Sequence, residues 1–299
     1  MNLSSVSKSS SIKLWELRWP EVMELDPDST LIVLPTGSIE QHGYHLPLET
    51  DICCSSEFSY RLAEQMRALP DRGTVLVAPP VWWGTSPHHM SYPGTISISM
   101  ATMSALLTDI CGALIRHGLY RILMVNGHGG NSGVMQATAL RVSEELGVSV
   151  PYTGYWQFPK VREALRRVGE SEPGGMGHAC EMETSIVLNF RPDEVKLGLA
   201  VPDMPRNLTS YSHIDFRSPG TVMLPWDFGR DSKTGAMGDP TLASVEKGQA
   251  IMQAVDEELL QLAQELLALP KELIYPNIDE SRFTITRRIE NFSGKGPSL

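Results

Sequence analysis

Cysteine is scarce in this chain of 299 residues, and the four present, Cys53, Cys54, Cys111 and Cys180, form no CxxC pair and no disulfide-framework spacing. Cys53 and Cys54 are adjacent, so a bond between them would be strained. A disulfide scaffold is excluded, and the chain reads as reduced and cytoplasmic. Basic residues are also in deficit: 25 Lys and Arg against 35 Asp and Glu give a formal charge of -10. That balance argues against nucleic acid or an anionic membrane as partner. No run is long and apolar enough to span a bilayer. The opening MNLSSVSKSSSIKLW lacks the apolar middle of a signal peptide. Residues 1–14 read as a mobile leader, 15–285 as one domain and 286–299 as a tail. There is no internal repeat.

What is present is a globular composition, 41% hydrophobic and 20% charged, enough for a sizeable core. Short β-branched runs alternate with helical patterns. Leu31–Leu34 (LIVL), Thr74–Ala78 and Arg121–Val125 (RILMV) read as strands, and Val148–Tyr152 as a fourth. Helices are expected over Ser55–Leu69, Met100–His117, Gly133–Leu146 and within Pro240–Leu267, while Thr184–Phe190 is ambiguous between helix and strand. This alternation predicts an α/β fold with a mainly parallel sheet. In such sheets the binding crevice lies beyond the carboxyl ends of the strands.

Three polar segments fall at such ends or near them. GSIEQHGYHLPLETD follows LIVL and holds Glu40, His42 and Asp51. In an extended segment residues i and i+2 share a side, so Glu40 and His42 would face one point. NGHGGN follows RILMV and holds His128 among glycines, which allow close backbone approach. GMGHACEMETS holds His178, Glu181 and Glu183. A mixed Asp, Glu and His set suits divalent zinc, manganese or iron. Its size exceeds the needs of one tetrahedral ion, so a two-metal site with a bridging carboxylate is a natural use. Spacing alone does not single out the bridge; Asp51 is the candidate. His45 and Glu49 read as outer or surface groups.

In this order, GSIEQHGYHLPLETD, NGHGGN, GHACEMETS and GAMGDPTLASVEKG resemble the signature blocks of the creatininase family, creatinine amidohydrolases and their relatives. The resemblance covers Leu31 to the helix after Lys247. It implies a single α/β domain with helices on both faces of a parallel sheet, a metal-dependent hydrolase of a non-peptide C–N bond, and a homohexamer. By position, Glu40, His42, Asp51 and His128 match metal ligands, Asp51 the bridging one, and His178 matches a proton-transfer histidine. One departure is Gly130, which stands where creatininase itself carries a glutamate ligand. Glu181 is the first candidate to replace that carboxylate, as ligand or as base, and Glu183 the second. The change puts creatinine as substrate in question; formamide deformylases and a peptide-trimming enzyme of mycofactocin maturation are similar branches.

The expectation is therefore an amidohydrolase of small cyclic or related amides using metal-activated water. It holds two divalent metals per chain, zinc first, manganese or iron otherwise. His178 and Glu181 are the catalytic candidates, with Trp156, His89 and Gly129 lining the substrate. Trp82 and Trp83 read as core or interface aromatics. The partners are a small amide and further copies of the chain. The alternatives are a formamide deformylase and a catalytically inactive metal-binding or assembly protein.

Overall fold

The computed structural model describes residues 11–69, 71–206 and 209–276. Residues 1–10 of the expected leader and the whole expected tail lie outside them. In chain order the elements are α1 (Trp19–Met23), β1 (Thr30–Thr36), α2 (Thr50–Arg67), β2 (Thr74–Val77), α3 (Met100–Arg116), β3 (Ile122–Asn126), α4 (Ser132–Leu146) and β4 (Tyr152–Gly154). There follow α5 (Pro159–Val168), β5 (Met176–His178), α6 (Glu181–Phe190), α7 (Phe228–Asp231), β6 (Met237–Gly238), α8 (Val245–Ala268) and α9 (Lys271–Ile274). Strands β1 to β4 form one sheet in the order β2-β1-β3-β4, and every pairing is parallel.

Continuous apolar strands need cover on both faces. Alternate side chains supply the two cores. Leu31, Val33, Leu123 and Val125 pack with Phe58 and Leu62 of α2 and with Val255 and Leu259 of α8. Ile32, Leu34, Ile122 and Met124 pack on the other side with Met103 and Leu107 of α3 and Val134 and Val142 of α4. The expected parallel α/β architecture is thus the one found.

Four local differences have physical causes. β4 starts at Tyr152 rather than Val148, because Pro151 has no N–H to give the ladder; only its carbonyl joins, accepting from Met124. α2 begins at Thr50 rather than Ser55, its start secured by the Thr50 hydroxyl donating to the Pro47 carbonyl at 2.7 Å. The ambiguous stretch at 184–190 is helical, as part of α6. Ile12, assigned to the leader, is buried in the core, and its carbonyl accepts from Val77 beside β2.

β1 and β3 are neighbours with Thr36 opposite Asn126. The segments that follow them therefore leave one rim of the sheet side by side. β5 stands apart from that sheet and pairs antiparallel with β6.

Candidate metal centre

Glu40 and His42 follow β1, His128 follows β3, and Asp51 lies in the first turn of α2. Ser86, His88 and His89 come from the loop after β2. His178 closes β5, and Glu183 sits in the first turn of α6. A Cβ on Gly127 would stand 2.0 Å from the Asp51 carbonyl oxygen. Only glycine there lets the start of α2 press against the end of β3. Asn126 fixes the next turn, accepting from the His128 amide at 3.1 Å and donating to its carbonyl at 2.6 Å.

The side chains converge and, apart from half-buried His88, are buried. His128 Nδ1 lies 3.2 Å from Glu40 Oε2 and 3.1 Å from Asp51 Oδ2. His42 Nε2 lies 3.2 Å from Asp51 Oδ1. His178 Nδ1 is 3.7 Å and His89 Nε2 3.1 Å from Glu40 Oε1. Three donor groups are close enough to share an ion: Glu40 with Asp51 and His128, His42 with Asp51 and Glu183, and Glu40 with His42 and His178. The first two overlap only at Asp51.

The outer ring nitrogens are held by backbone. His42 Nδ1 is 3.0 Å from the Glu40 carbonyl, His128 Nε2 3.2 Å from that of Thr85, and His178 Nε2 2.7 Å from that of Gln41. A carbonyl only accepts, so these nitrogens carry hydrogen, and the inner nitrogens face the carboxylates. This is the arrangement of metal-binding imidazoles.

Electrostatics ask for positive charge. Burial disfavours a charged His42, yet the Asp51, Glu183 and Glu40 carboxylates outweigh it and push its pKa up to about 9. Against the same burial, Glu40 and Asp51 raise His128 well above its ordinary value. Burial is likewise overcome at Asp51, which His42 and His128 hold low. At Glu183 burial wins and raises the carboxyl to about 7. Burial, with the neighbouring rings, keeps His178 and His89 neutral. Among the described residues, Glu40 Oε1, Asp51 Oδ2 and Glu183 Oε2 are buried without a hydrogen-bond partner, and none of the three side chains pairs with a lysine or arginine. Buried charge needs compensation. Orphaned carboxylate oxygens beside inward imidazoles fit a divalent cation.

Glu181, expected as ligand and catalytic group, lies elsewhere. Its carboxylate pairs with Lys247 Nζ and accepts from the amides of Glu170 and Ser171 and from the Ser171 hydroxyl. Glu183, the second candidate, is the one in the cluster. Trp156 sits in the core with ring contacts to Tyr155 and Phe216, away from the imidazoles. Trp82 and Trp83 are exposed. His89 reaches the cluster, and Gly129 beside it is open to solvent. A Cβ on Gly130 would stand 2.4 Å from His128 Nε2 and 2.7 Å from the His88 ring, so this backbone admits no side chain where the glutamate of creatininase itself was expected. Sequence reasoning missed Gln41, Ser86 and Phe228. Gln41 was legible, lying between Glu40 and His42; Phe228, whose ring packs on His89 and His178, carried no signal.

Known proteins resemble this chain over most of its length. A family model described as creatinine amidohydrolase matches residues 15–263. The mycofactocin precursor peptide peptidase of Mycolicibacterium smegmatis is 35% identical over 221 residues, 74% of this chain and 79% of that protein. The creatinine amidohydrolase of Pseudomonas putida is 28% identical over 273 residues, 86% of this chain and 98% of that one. A solved creatininase variant of the Zn-Zn type superposes with a TM-score of 0.73 at 27% identity, covering 87% of this chain and 100% of that chain.

Proposed function

The chain belongs to the creatininase family, and on that footing we propose that it is a metal-dependent amidohydrolase whose centre takes two divalent cations sharing Asp51. The observation that carries this is the pair of donor groups, Glu40–Asp51–His128 and His42–Asp51–Glu183, which meet only at Asp51. Zinc is the first choice, supported by the Zn-Zn type relative, and manganese the second, supported by a solved manganese creatininase. Such cations, when bound, supply acidified water and a polarised carbonyl.

The chain's own residues do the rest. Glu40, His42, Asp51, His128 and Glu183 hold the charge. His178 moves the proton. Its Nε2 hydrogen is committed to the Gln41 carbonyl, so Nδ1 is the atom that takes a proton and gives it to the leaving nitrogen. Burial of the rings excludes bulk water. Glu181 has no part in the chemistry; with Lys247 it ties α6 to α8.

The substrate is an amide C–N bond. Two classes remain in view: small cyclic amides or formamides, and the end of a peptide. The peptide reading is favoured by the identity to the mycofactocin precursor peptidase; the closed Gly130 position speaks only against a creatininase-type glutamate there. A hydrolysis screen over cyclic amides, formamides and short peptides, with zinc and manganese varied, tests both. Metal-dependent turnover of one class is expected. A fully metal-loaded chain that cleaves none of them would overturn the enzyme reading in favour of a metal-binding or assembly role. We also propose a homo-oligomer, a hexamer by family resemblance, in a cytoplasmic setting consistent with four free cysteines. Among the described residues no helix is long and apolar enough to cross a membrane.

A further inference from the structure

Four imidazoles surround the carboxylates, and one faces the opposite way. The Gln41 amide is the cause. Its Oε1 accepts from the Gly43 N–H at 3.0 Å, and its Nε2 donates to the Gly235 carbonyl at 2.7 Å. Both partners are backbone groups with a single role. Flipping the amide would set donor against donor and oxygen against oxygen, so its orientation is fixed. The second Nε2 hydrogen then points to His89 Nδ1, 2.7 Å away. That ring nitrogen must accept. The neutral His89 ring therefore carries its hydrogen on Nε2, the atom nearest Glu40. His42, His128 and His178 do the reverse, each giving its hydrogen outward to a carbonyl. The 3.2 Å between Gln41 Nε2 and His178 Nε2 separates two donors and is only a contact.

We infer that Gln41 is a positioning residue that fixes His89 as an inward N–H donor, unlike His42, His128 and His178 around it, whose carbonyl-bound hydrogens point outward. Both ring nitrogens of His89 are thereby unavailable to a metal. The N–H is not committed to Glu40 either, since Glu40 Oε1 lacks a hydrogen-bonded partner despite its 3.1 Å approach. The ring is braced by Phe228, with centroids 3.9 Å apart. A neutral imidazole held in this way is an electrophile for a carbonyl oxygen on which charge develops. That use rests on the amidohydrolase reading; the tautomer does not.

The test is imidazole nitrogen NMR on the zinc-loaded full chain labelled with 15N-histidine, with His89 assigned from a His89→Asn variant. Long-range proton–nitrogen correlation reads which ring nitrogen bears hydrogen. His89 is expected to show hydrogen on Nε2 and a lone-pair signature on Nδ1. Gln41→Glu offers His89 no donor, because a protonated carboxyl spends its one hydrogen on the Gly235 carbonyl. In that variant the His89 hydrogen is expected to move to Nδ1. His178, bonded to the backbone carbonyl of residue 41, keeps its Nε2 hydrogen. Turnover should fall about 10- to 100-fold, as for other groups that orient site residues, with zinc content unchanged. Hydrogen on Nδ1 of His89 in the unsubstituted chain would overturn the inference, as would an unchanged His89 signature in Gln41→Glu. Where the variant does not fold, the unsubstituted spectrum decides. Failure of the amidohydrolase reading would leave the tautomers intact and appear only as absent turnover.

Discussion

His42 and His128 attract protons because two or more carboxylates face each of them, and a cation entering the cluster must displace those protons. The sign follows from His42. Its pKa is raised to about 9 from an ordinary value near 6.5. Its charged form therefore stabilises the metal-free fold fully below about pH 6.5, and that contribution is lost as pH rises through about 9. Metal affinity moves the other way. For the proton displaced from His42 it should climb about tenfold per pH unit as pH rises toward about 9, where that share levels off. Calorimetric zinc titrations across that range check this; a flat profile would remove the competition. Asp51→Ala deletes the donor common to both groups, so zinc content measured by elemental analysis should fall from about two per chain toward zero, with hydrolysis lost. His178→Ala should keep the zinc and lose about 10²- to 10⁴-fold in turnover. At this scale the sequence was legible for Glu40, His42, Asp51, His128 and His178, whose blocks are distinctive. It was not legible for the choice between Glu181 and Glu183. Residues two apart on a helix point to nearly opposite sides. With helix and strand unresolved at this stretch, that argument was out of reach, and Lys247 across on α8 claims the other carboxylate.

Elements place these groups through close contacts that tolerate little. The start of α2 carries Asp51 against Gly127, and the turn after β3 holds His128 over Gly130. Gly130→Glu, which places the carboxylate of creatininase itself in this sequence, is expected to fail as a ligand. Its Cβ would meet His128 Nε2 at 2.4 Å and the Thr85 carbonyl at 2.6 Å. Overpacking of this kind costs about 1–3 kcal/mol. Denaturant unfolding should show that loss, and zinc titration a weaker site; a tighter site would contradict the packing. Strands β1, β2 and β3 were readable from their β-branched runs. The α2 boundary was not, because LPLETD looks like polar loop and its helical start depends on the Thr50 hydroxyl turning back to Pro47. Pro151 delayed β4 for the converse reason, a missing backbone donor.

The molecule as a whole brings three distant segments together by parallel pairing of β1 with β3 and by the β5–β6 ribbon, which adds His178. Parallel topology was predictable from the alternation of strands and helices. The ribbon and the described residues 209–238 that carry Phe228 and Gly235 were not, since they are held by turns and side-chain hydrogen bonds rather than by a periodic pattern. Asp203 illustrates this, accepting from the amides of Lys233 and Thr234 and from the Ser232 hydroxyl. Imidazolium protons offset the buried carboxylates only below the raised histidine pKa values, and a cation that binds the folded cluster alone should stabilise the fold by mass action. Zinc at one hundred times its dissociation constant contributes about 2.7 kcal/mol per site. Thermal melts with zinc against chelator should show the higher midpoint with zinc; equal midpoints would deny the linkage. The most direct measurement is anomalous diffraction at the zinc edge from crystals of the loaded full chain. Two peaks are predicted, both coordinated by Asp51, one with Glu40 and His128 and the other with His42 and Glu183; a single peak, or ions without Asp51 among their ligands, would contradict the shared centre.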